Sequence, residues 1–467
     1  MNPSTTEFPP MEPLPPELDE HQETTTAGLD REVESEAVGP TPPPPRIYAD
    51  LIGQERIDAD AVKVLRRLTR HGYTAYLVGG GVRDLLLGRE PKDFDIATSA
   101  RPNEIRRLFR NCRIIGRRFR LAHILFAGGK VIEVATFRRD PTTNQRNSQL
   151  ELDDMDENNV LNLSSTTKDR SDDADLLIRQ DNAFGLPHED AIRRDFTING
   201  LFYDLDRQEV IDYVGGVHDL EAGVVRTIGQ PDVRFREDPI RILRAIKFSA
   251  RLDLGVAPEV YDAMVDQRAE LSRSAAPRLF EELLRLLRGG AAQRSLYLCW
   301  DAGVLGVILP ELSAYLDDQG EQPTPMWDRL AAIDEMKRED RLPGDAVLLA
   351  TLLYDPMQEA VDGARSPAPA FESFFEGIIE RLALPRRMRD RIRLIFAAQR
   401  RLDRGRHGGM RRREFFLDAA TLYEIRLSAA GQEAPDWLID ATPNHGGPNG
   451  RDDGRHRPPR RRRNRNR

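Results

Sequence analysis

The segment "PKDFDIAT", residues 91–98, carries two aspartates one residue apart in a stretch that otherwise has the pattern of a buried strand. Side chains alternate along a strand, so Asp93 and Asp95 should share one face while Phe94 and Ile96 point into the core. Paired carboxylates can bridge divalent cations, and two cations about 3.5–4 Å apart support phosphoryl or nucleotidyl transfer. The alternative is an exposed sheet edge with two solvated aspartates.

A glycine turn precedes this pair in "LVGGGVRDLLLG", residues 77–88. The pattern predicts a strand, a turn at Gly79 and Gly80, and then a helix. Such a turn exposes backbone N–H groups, and the helix start favours an anion, so a triphosphate would fit there. The alternative is an ordinary tight turn.

A further acid follows in the apolar segment "KVIEVATF", residues 130–137. In a strand, Val131, Glu133 and Ala135 should share one face, and Ile132 and Val134 the other. A charged residue within such a strand is seldom buried without a partner. Glu133 is therefore either a third acid beside Asp93 and Asp95 or the partner in a structural salt bridge.

The segment "RRDFTIN", residues 193–199, places Asp195 and Asn199 four apart, which predicts that they share one face of a helix. The two arginines before them suit phosphate, and Asp195 could accept a ribose hydroxyl or support the catalytic acids. The alternative is an ordinary ion pair on a helix surface.

The segment "REDPIRILRAIKFSARL", residues 236–252, predicts a helix with Asp238 as its N-cap and Pro239 at its first position. That capping role is a sufficient structural explanation. Asp238 and Arg241 are nevertheless three apart on one face, where a fixed acceptor and donor could read a base edge. Arg244 extends the same polar side.

These residues require a scaffold of strands and helices in the first half of the chain. Hydrophobic spacing predicts a helix over 57–71, a strand over 74–78 and three strands between residues 112 and 137, the last two joined by a glycine turn. From about residue 231 the periodicity is helical. The fold class is therefore α+β: a mixed, mainly antiparallel sheet with helices, followed by an all-α region.

The net charge of −8 hides a basic body. Residues 1–45 contribute −9 and residues 140–180 contribute −6, which leaves +7 on the remainder. Residues 386–413 hold twelve arginines against two aspartates, and residues 451–467 hold nine against two. A basic body with acidic appendages fits a nucleic-acid partner.

Other features limit the cellular setting. The sequence contains no run of 18 apolar residues, so it predicts no membrane span. The N-terminus lacks the pattern of a secretory signal. Cys112 and Cys299 lie in apolar surroundings, which indicates core packing in a reducing compartment rather than a disulfide framework. We therefore expect a cytoplasmic protein.

Taken in chain order, with the glycine turn and the aspartate pair as one motif, these four motifs resemble those of the class II nucleotidyltransferases, which comprise bacterial poly(A) polymerases and CCA-adding tRNA nucleotidyltransferases. The resemblance implies that Asp93 and Asp95 bind metal, with Mg²⁺ as the expected cofactor. It implies catalytic acids at Asp93, Asp95, Asp195 and Glu133, and it leaves open whether Glu133 or Asp195 is the third one. It also implies a nucleotide-binding set: Gly79, Gly80, Arg83, Asp84, Arg194, Asn199, Asp238, Arg241 and Arg244.

The resemblance also implies a division of the chain. We expect a disordered acidic, proline-rich segment (1–46), a catalytic head (47–205) with a mobile insertion (139–180), and a nucleotide-recognition neck (206–310). A helical RNA-binding body (311–435) and a disordered arginine-rich tail (436–467) complete it.

Within the family, "IIGRRFRLAHILF", residues 114–126, is similar to the segment typical of bacterial poly(A) polymerases. The implied activity is the addition of AMP from ATP to single-stranded RNA 3′ ends, in mRNA processing and RNA turnover. CCA addition to tRNA is the alternative, because both activities share the catalytic motifs. A catalytically inactive RNA-binding protein is a third possibility, and the presence of every candidate acid counts against it.

Overall fold

The computed structural model describes residues 44–116, 120–139, 184–320 and 324–439. An eight-stranded sheet in the order β1-β8-β7-β2-β3-β6-β5-β4 forms its first half. Among the described strands of this sheet, β3 and β6 pair in parallel and every other neighbouring pair is antiparallel. The strands are β1 (Arg46–Ala49), β2 (Ala75–Val78), β3 (Asp95–Thr98), β4 (Cys112–Ile115), β5 (Leu121–Leu125), β6 (Val131–Thr136), β7 (Leu201–Asp204) and β8 (Glu209–Asp212).

Six helices accompany or directly follow this sheet, and a small parallel pair of strands lies beyond it. The helices are α1 (Ala59–Arg70), α2 (Gly80–Leu86), α3 (Pro102–Leu108), α4 (Pro187–Ile192), α5 (Gly216–Glu221) and α6 (Pro231–Glu237). The pair consists of β9 (Val224–Val225) and β10 (Gly255–Val256).

The rest of the described chain is helical, as the sequence predicts. Its helices are α7 (Ile240–Leu252), α8 (Pro258–Gln267), α9 (Ala276–Arg288), α10 (Ala292–Asp301), α11 (Leu305–Ile308), α12 (Pro310–Gln319), α13 (Pro325–Arg338), α14 (Asp345–Leu352), α15 (Tyr354–Asp362), α16 (Pro367–Leu382), α17 (Arg386–Leu402), α18 (Phe416–Ala429) and α19 (Asp436–Ile439). The α+β fold class is confirmed. None of the helices in the described part of the chain is both long and apolar enough to cross a membrane.

Local chemistry explains the elements that carry the site. Asp58 caps α1 by accepting hydrogen bonds from the N–H groups of Asp60 (2.9 Å) and Ala61 (3.1 Å). In β6, Ile132 and Val134 are buried while Glu133 is exposed, which is the alternation that the sequence predicts.

Two boundaries differ from the prediction. Strand β3 begins at Asp95, so Asp93 precedes the strand and does not share its alternation. Helix α4 ends at Ile192, so residues 193–199 do not form the expected helix. Phe196 instead pairs with Thr227 in an isolated antiparallel β-bridge, and only Thr197–Asn199 form a single turn of 3-10 helix.

The expected polar segments 1–46, 139–180 and 436–467 lie outside the described residues except at their ends. The same holds for residues 117–119 of the segment that favours poly(A) polymerases. The boundaries between head, neck and body remain predictions.

A candidate nucleotidyl-transfer site

The glycine turn and the aspartate pair meet at one edge of the sheet. Val78, the last residue of β2, lies opposite Asp95, the first residue of β3. On its other side Asp95 lies opposite Glu133 of β6. A Cβ atom added to Gly81 would lie 3.4 Å from the carbonyl oxygen of Asp93, so α2 begins against the segment that carries the first aspartate.

The carboxylate of Asp95 is crowded by other acids. The side chain of Asp95 is exposed. Its pKa is nevertheless raised to about 6, first because the protein around it partly desolvates it and then because Glu133 and Asp93 add negative charge, with Arg194 opposing them. Oε1 of Glu133 also lies 3.2 Å from Nε2 of His123, which is opposite it on β5. Glu133 therefore acts electrostatically on Asp95 while it also has a structural partner.

These residues fit a divalent cation. Within the described ranges, no group of three or more histidine, cysteine or acidic side chains is arranged to hold a metal. Mg²⁺ nevertheless needs only one or two carboxylates, because it keeps several waters and binds substrate phosphates. A cation between Asp93 and Asp95 would also relieve the charge repulsion that raises the pKa of Asp95.

Gly79 makes the turn possible. Its φ of +67° is a conformation that L side chains rarely adopt, and an added Cβ would lie 2.8 Å from Arg194 Nη1. The backbone therefore passes close beneath a guanidinium at the start of α2.

Arg83 and Asp84 form a buried pair behind this turn. Arg83 is only 3% exposed. It donates to Asp84 Oδ1 from Nε (2.8 Å) and Nη2 (2.6 Å), and to Asn199 Oδ1 from Nη1 (2.6 Å). Asp84 thus orients Arg83, and Arg83 connects the glycine motif to the segment that contains Asp195.

Asp195 is held as a carboxylate by several donors. Arg244 Nε donates to its Oδ2 at 2.7 Å, and Asn199 Nδ2 and the N–H of Phe196 donate to its Oδ1 at 3.0 and 2.9 Å. Burial alone would raise the pKa of Asp195, but the charge of Arg244 and these hydrogen bonds lower it to about 2. Asp195 and Asn199 do meet, although through a turn and not on a helix face.

The two arginines before Asp195 are fixed by a carboxylate that the sequence did not single out. Arg193 donates to Asp190 Oδ1 at 2.8 Å, and Arg194 donates to Asp190 Oδ2 at 2.9 Å. Desolvation would raise the pKa of the buried Asp190, but the charges of both arginines lower it.

The expected N-cap at Asp238 is wrong. Asp238 instead accepts two hydrogen bonds from Arg278 of α9, at 2.8 and 2.6 Å, and makes no side-chain hydrogen bond to the start of α7. Its carboxylate is drawn to a guanidinium because a charge-assisted bidentate pair is stronger than a cap. Arg241 does not bond Asp238 through its side chain either, and donates to Glu237 Oε2 at 3.1 Å.

These side chains surround one cavity of about 720 Å³. Of the predicted residues, ten line it: Gly79, Gly80, Arg83, Asp95, Arg194, Asp195, Asn199, Asp238, Arg241 and Arg244. Asp84, Asp93 and Glu133 are not in its wall; Asp84 orients Arg83, and Asp93 and Glu133 act on Asp95.

The wall has six further residues: Arg193, Phe248, Arg278, Glu281, Glu282 and Arg285. Arg193 is one of the two arginines that the sequence already suggests for phosphate, whereas the other five were not predicted. Phe248 has the guanidinium of Arg83 at 5.1 Å and that of Arg244 at 5.3 Å from its ring centroid. Helical spacing from Arg241 could have found Phe248, seven residues on. Nothing local to α9 indicates that its residues reach the site.

The wall contains seven arginines and five carboxylates. It therefore carries a net positive charge, and most of its arginines are already oriented by a carboxylate. Such a cavity suits a polyphosphate, for which arginine offers planar, bidentate donors.

Comparison with known proteins agrees with this chemistry. The family model described as "Poly A polymerase head domain" matches residues 75–226, and that described as "Probable RNA and SrmB- binding site of polymerase A" matches residues 253–316. Poly(A) polymerase I of Escherichia coli O6:H1 (strain CFT073) is 39% identical over 364 residues, which cover 76% of this chain and 74% of the relative. A CCA-adding enzyme of Geobacillus thermodenitrificans is 34% identical over 275 residues, 59% of this chain and 60% of its own.

Solved structures share the fold. The crystal structure of the Bacillus stearothermophilus CCA-adding enzyme in complex with CTP superposes with a TM-score of 0.55 at 24% identity, covering 81% of this chain and 89% of its own. At that identity the match shows the fold alone.

Proposed function

This chain belongs to the bacterial poly(A) polymerase family, and we propose that it adds AMP from ATP to RNA 3′ ends with release of pyrophosphate. The observation that carries the proposal is the shared cavity of about 720 Å³. It brings the glycine turn, one carboxylate of the metal pair and a cluster of arginines together with Asp238 and Arg241. The poly(A) polymerase matches 76% of this chain and the CCA-adding enzyme matches 59%, which supports the choice of product.

The residues divide into three roles. The turn at Gly79 and Gly80, together with Arg194, would hold the triphosphate. Asp195 stays ionised, since its pKa is about 2, so it would accept a hydrogen bond from the ribose. Asp238 and Arg241, each held by a partner of opposite charge, would present a fixed acceptor and donor to the adenine edge.

Catalysis would be mainly positioning and electrostatic stabilisation, as in other phosphoryl transfers. Mg²⁺ at Asp93 and Asp95 would supply the charge that activates the RNA 3′ hydroxyl and neutralises the triphosphate. A cation bound there would lower the pKa of Asp95 again, because its charge would offset the desolvation and the negative charge of the neighbouring acids. We further propose single-stranded RNA as substrate, and action in mRNA processing in the cytoplasm.

The decisive experiment replaces the metal acids without altering their shape. Asp93→Asn and Asp95→Asn should each abolish AMP incorporation while thermal melting shows a folded protein. Asp206→Asn, in an exposed turn after β7, is the matched control and should retain full activity. Normal incorporation by either metal-site variant would refute the assignment.

The product is tested by substrate choice. We expect long A-tails on generic RNA with ATP alone, and no requirement for CTP. If the protein completes CCA ends only on 3′-truncated tRNA when CTP and ATP are both present, the poly(A) assignment is wrong and CCA addition replaces it.

The open choice of third acid can be tested in the same assay. Asp195→Asn removes a carboxylate from the cavity wall, whereas Glu133→Gln removes one that lies opposite Asp95. Replacement of the third catalytic acid should lower the rate at saturating ATP. Replacement of a residue that only binds the ribose should mainly raise the KM for ATP.

A further inference from the structure

A second cavity, of about 480 Å³, lies among the helices of the C-terminal half. It shares no lining residue with the catalytic cavity. Helix α13 contributes Arg329, α15 contributes Tyr354, and α18 contributes Tyr423 and Arg426. None of these residues has a role in the reaction proposed above.

A stack of aromatic rings ends at this cavity. The rings of His407 and Trp437 are 4.3 Å apart and inclined by 13°, and those of Trp437 and Tyr423 are 5.9 Å apart and inclined by 17°. Of the three, Tyr423 lines the cavity. The guanidinium of Arg426 also lies 5.9 Å from the ring centroid of Tyr423. Nucleobases stack on aromatic side chains irrespective of sequence, so a base that contacts Tyr423 in the cavity would join a stack that the protein has already built.

Flat guanidinium groups lie over the second tyrosine. Arg426 is 4.7 Å and Arg329 is 5.3 Å from the ring centroid of Tyr354. Arg426 is fixed by hydrogen bonds of 3.1 Å to Gln399 Oε1 and to Asp403 Oδ1. Guanidinium planes held in this way are themselves stacking surfaces for RNA bases.

One buried donor in the wall, Nε of Arg329, is unpaired within the described part of the chain. Arg329 is 4% exposed, and its Nη2 donates a hydrogen bond to the carboxylate of Asp355. Its Nε has no hydrogen-bond acceptor among the described residues. Because an unsatisfied buried donor is costly, this atom indicates an acceptor that comes from outside the chain.

The charges favour a base over a phosphate. Within the wall, Arg329 and Arg426 are balanced by Asp328 and Asp403, so the cavity carries no net charge. Its volume lies within the usual range of small-molecule sites, about 300–1,000 Å³. A nucleobase is a neutral, flat ring whose edge carries donors and acceptors, so it suits both the absence of net charge and the size of the cavity.

Three exposed arginines flank the cavity residue Asp403 in the sequence. Arg401, Arg404 and Arg406, around the cavity residue Asp403, are exposed, and the described part of the chain provides no ion-pair partner for them. Free arginines beside a neutral, aromatic cavity are what a nucleotide within a strand requires, since its base and its flanking phosphates need different surroundings.

We propose that this cavity binds one nucleobase of the RNA strand, upstream of the 3′ end that is being extended, with the flanking phosphates on the adjacent arginines. The inference rests on the proposed function, because it takes RNA to be the substrate. It adds a second anchoring point that holds the strand independently of the catalytic residues.

The test uses the full chain and a fluorescein-labelled oligo(A) RNA, with affinity measured by anisotropy in the absence of ATP. Tyr423→Ala should weaken binding about tenfold, the effect of losing one stacked base. Tyr423→Phe keeps the ring and should bind like the original protein. Ala430→Leu, at an exposed position of the wall, fills the cavity without removing any packing and should weaken binding to a similar extent.

The remaining outcomes also separate the alternatives. If Tyr423→Ala does not fold, the affinity of Ala430→Leu decides the question; if a folded cavity variant binds oligo(A) normally, the proposal is refuted. If calorimetry detects an AMP-binding site in the original protein and that site is lost in Ala430→Leu, the cavity binds free nucleotide, and the proposal is also overturned. Absence of AMP addition by the original protein would refute the proposed function, while the binding data would still report on the cavity.

Discussion

The ion pair between Asp195 and Arg244 allows a quantitative test of the site's electrostatics. Arg244→Met removes the guanidinium while it keeps the length and apolar volume of the side chain. The pKa of Asp195 is lowered from 3.8 to about 2. At about 1.4 kcal/mol per pKa unit, the ionised form is favoured in the folded state by about 2–3 kcal/mol.

The expected loss follows from what remains around Asp195. Without Arg244 the carboxylate keeps its hydrogen bonds from Asn199 and the N–H of Phe196, but its desolvation is no longer offset by a charge. We therefore expect Arg244→Met to lower the free energy of unfolding by about 2–3 kcal/mol at pH 7, somewhat less than the 3–5 kcal/mol typical of a buried charge left with no partner.

The pH dependence has a definite sign. Because the folded pKa of Asp195 is below its unfolded value, its contribution is complete above about pH 4 and is lost as pH falls from 4 towards 2. In Arg244→Met the pKa of Asp195 should rise. Asp195 then becomes protonated at a higher pH, and protonation removes the cost of burying its unpaired charge. The difference in stability between the two proteins should therefore shrink as the pH is lowered from 7 to 4 and below.

Urea unfolding at pH 7, 5 and 4 measures this difference. Arg285→Met is the matched control, because Arg285 lines the same cavity and pairs with Glu281 and Glu282 but is half exposed. Its effect should stay within about 1 kcal/mol. A loss in Arg244→Met that is equally small, or one that does not change with pH, would refute the assignment of the low pKa to this pair.

Three further results are expected. Gly79→Ala should lower stability by about 1–3 kcal/mol and reduce AMP incorporation, because its φ is +67°. Gly80→Ala should leave the melting temperature nearly unchanged, because the φ of Gly80 lies outside the left-handed region. Arg278→Met should raise the KM for ATP about tenfold and weaken discrimination against CTP, because Asp238 loses both hydrogen bonds; unchanged nucleotide kinetics would contradict this role. Deletion of residues 451–467, with nine arginines, should weaken RNA binding and flatten its salt dependence in anisotropy titrations.

The parts of the site that the sequence predicts correctly depend on local signals. Alternation of apolar residues places Glu133 on the exposed face of β6, and a glycine run after an apolar strand gives the turn at Gly79. Both signals act over a few residues, so they need no knowledge of the tertiary fold. The sheet then brings Asp95 beside that turn through the register of β2 and β3.

The parts that the sequence misses are set by long-range pairing. Arg278 lies 40 residues after Asp238, and no periodicity relates the two. The helix expected over 193–199 fails because the carboxylate of Asp195 finds donors in Asn199 and in the backbone of Phe196, which gives this segment an alternative to helical hydrogen bonding. Polar residues at such positions have several possible partners, and packing selects among them.

The choice of partners explains how this cavity can act on a highly charged substrate. Asp190 fixes Arg193 and Arg194, and Glu237 fixes Arg241, before any nucleotide arrives. These carboxylates reduce the net positive charge, yet they hold the guanidinium groups in place, so little rotamer entropy remains to be lost when phosphate binds. A site with unpaired arginines would attract a triphosphate more strongly at long range, but its side chains and the triphosphate would have to become ordered together. Preorganised charge is the form of stabilisation that lowers a barrier, so the acids behind the arginines should matter for rate as much as for affinity.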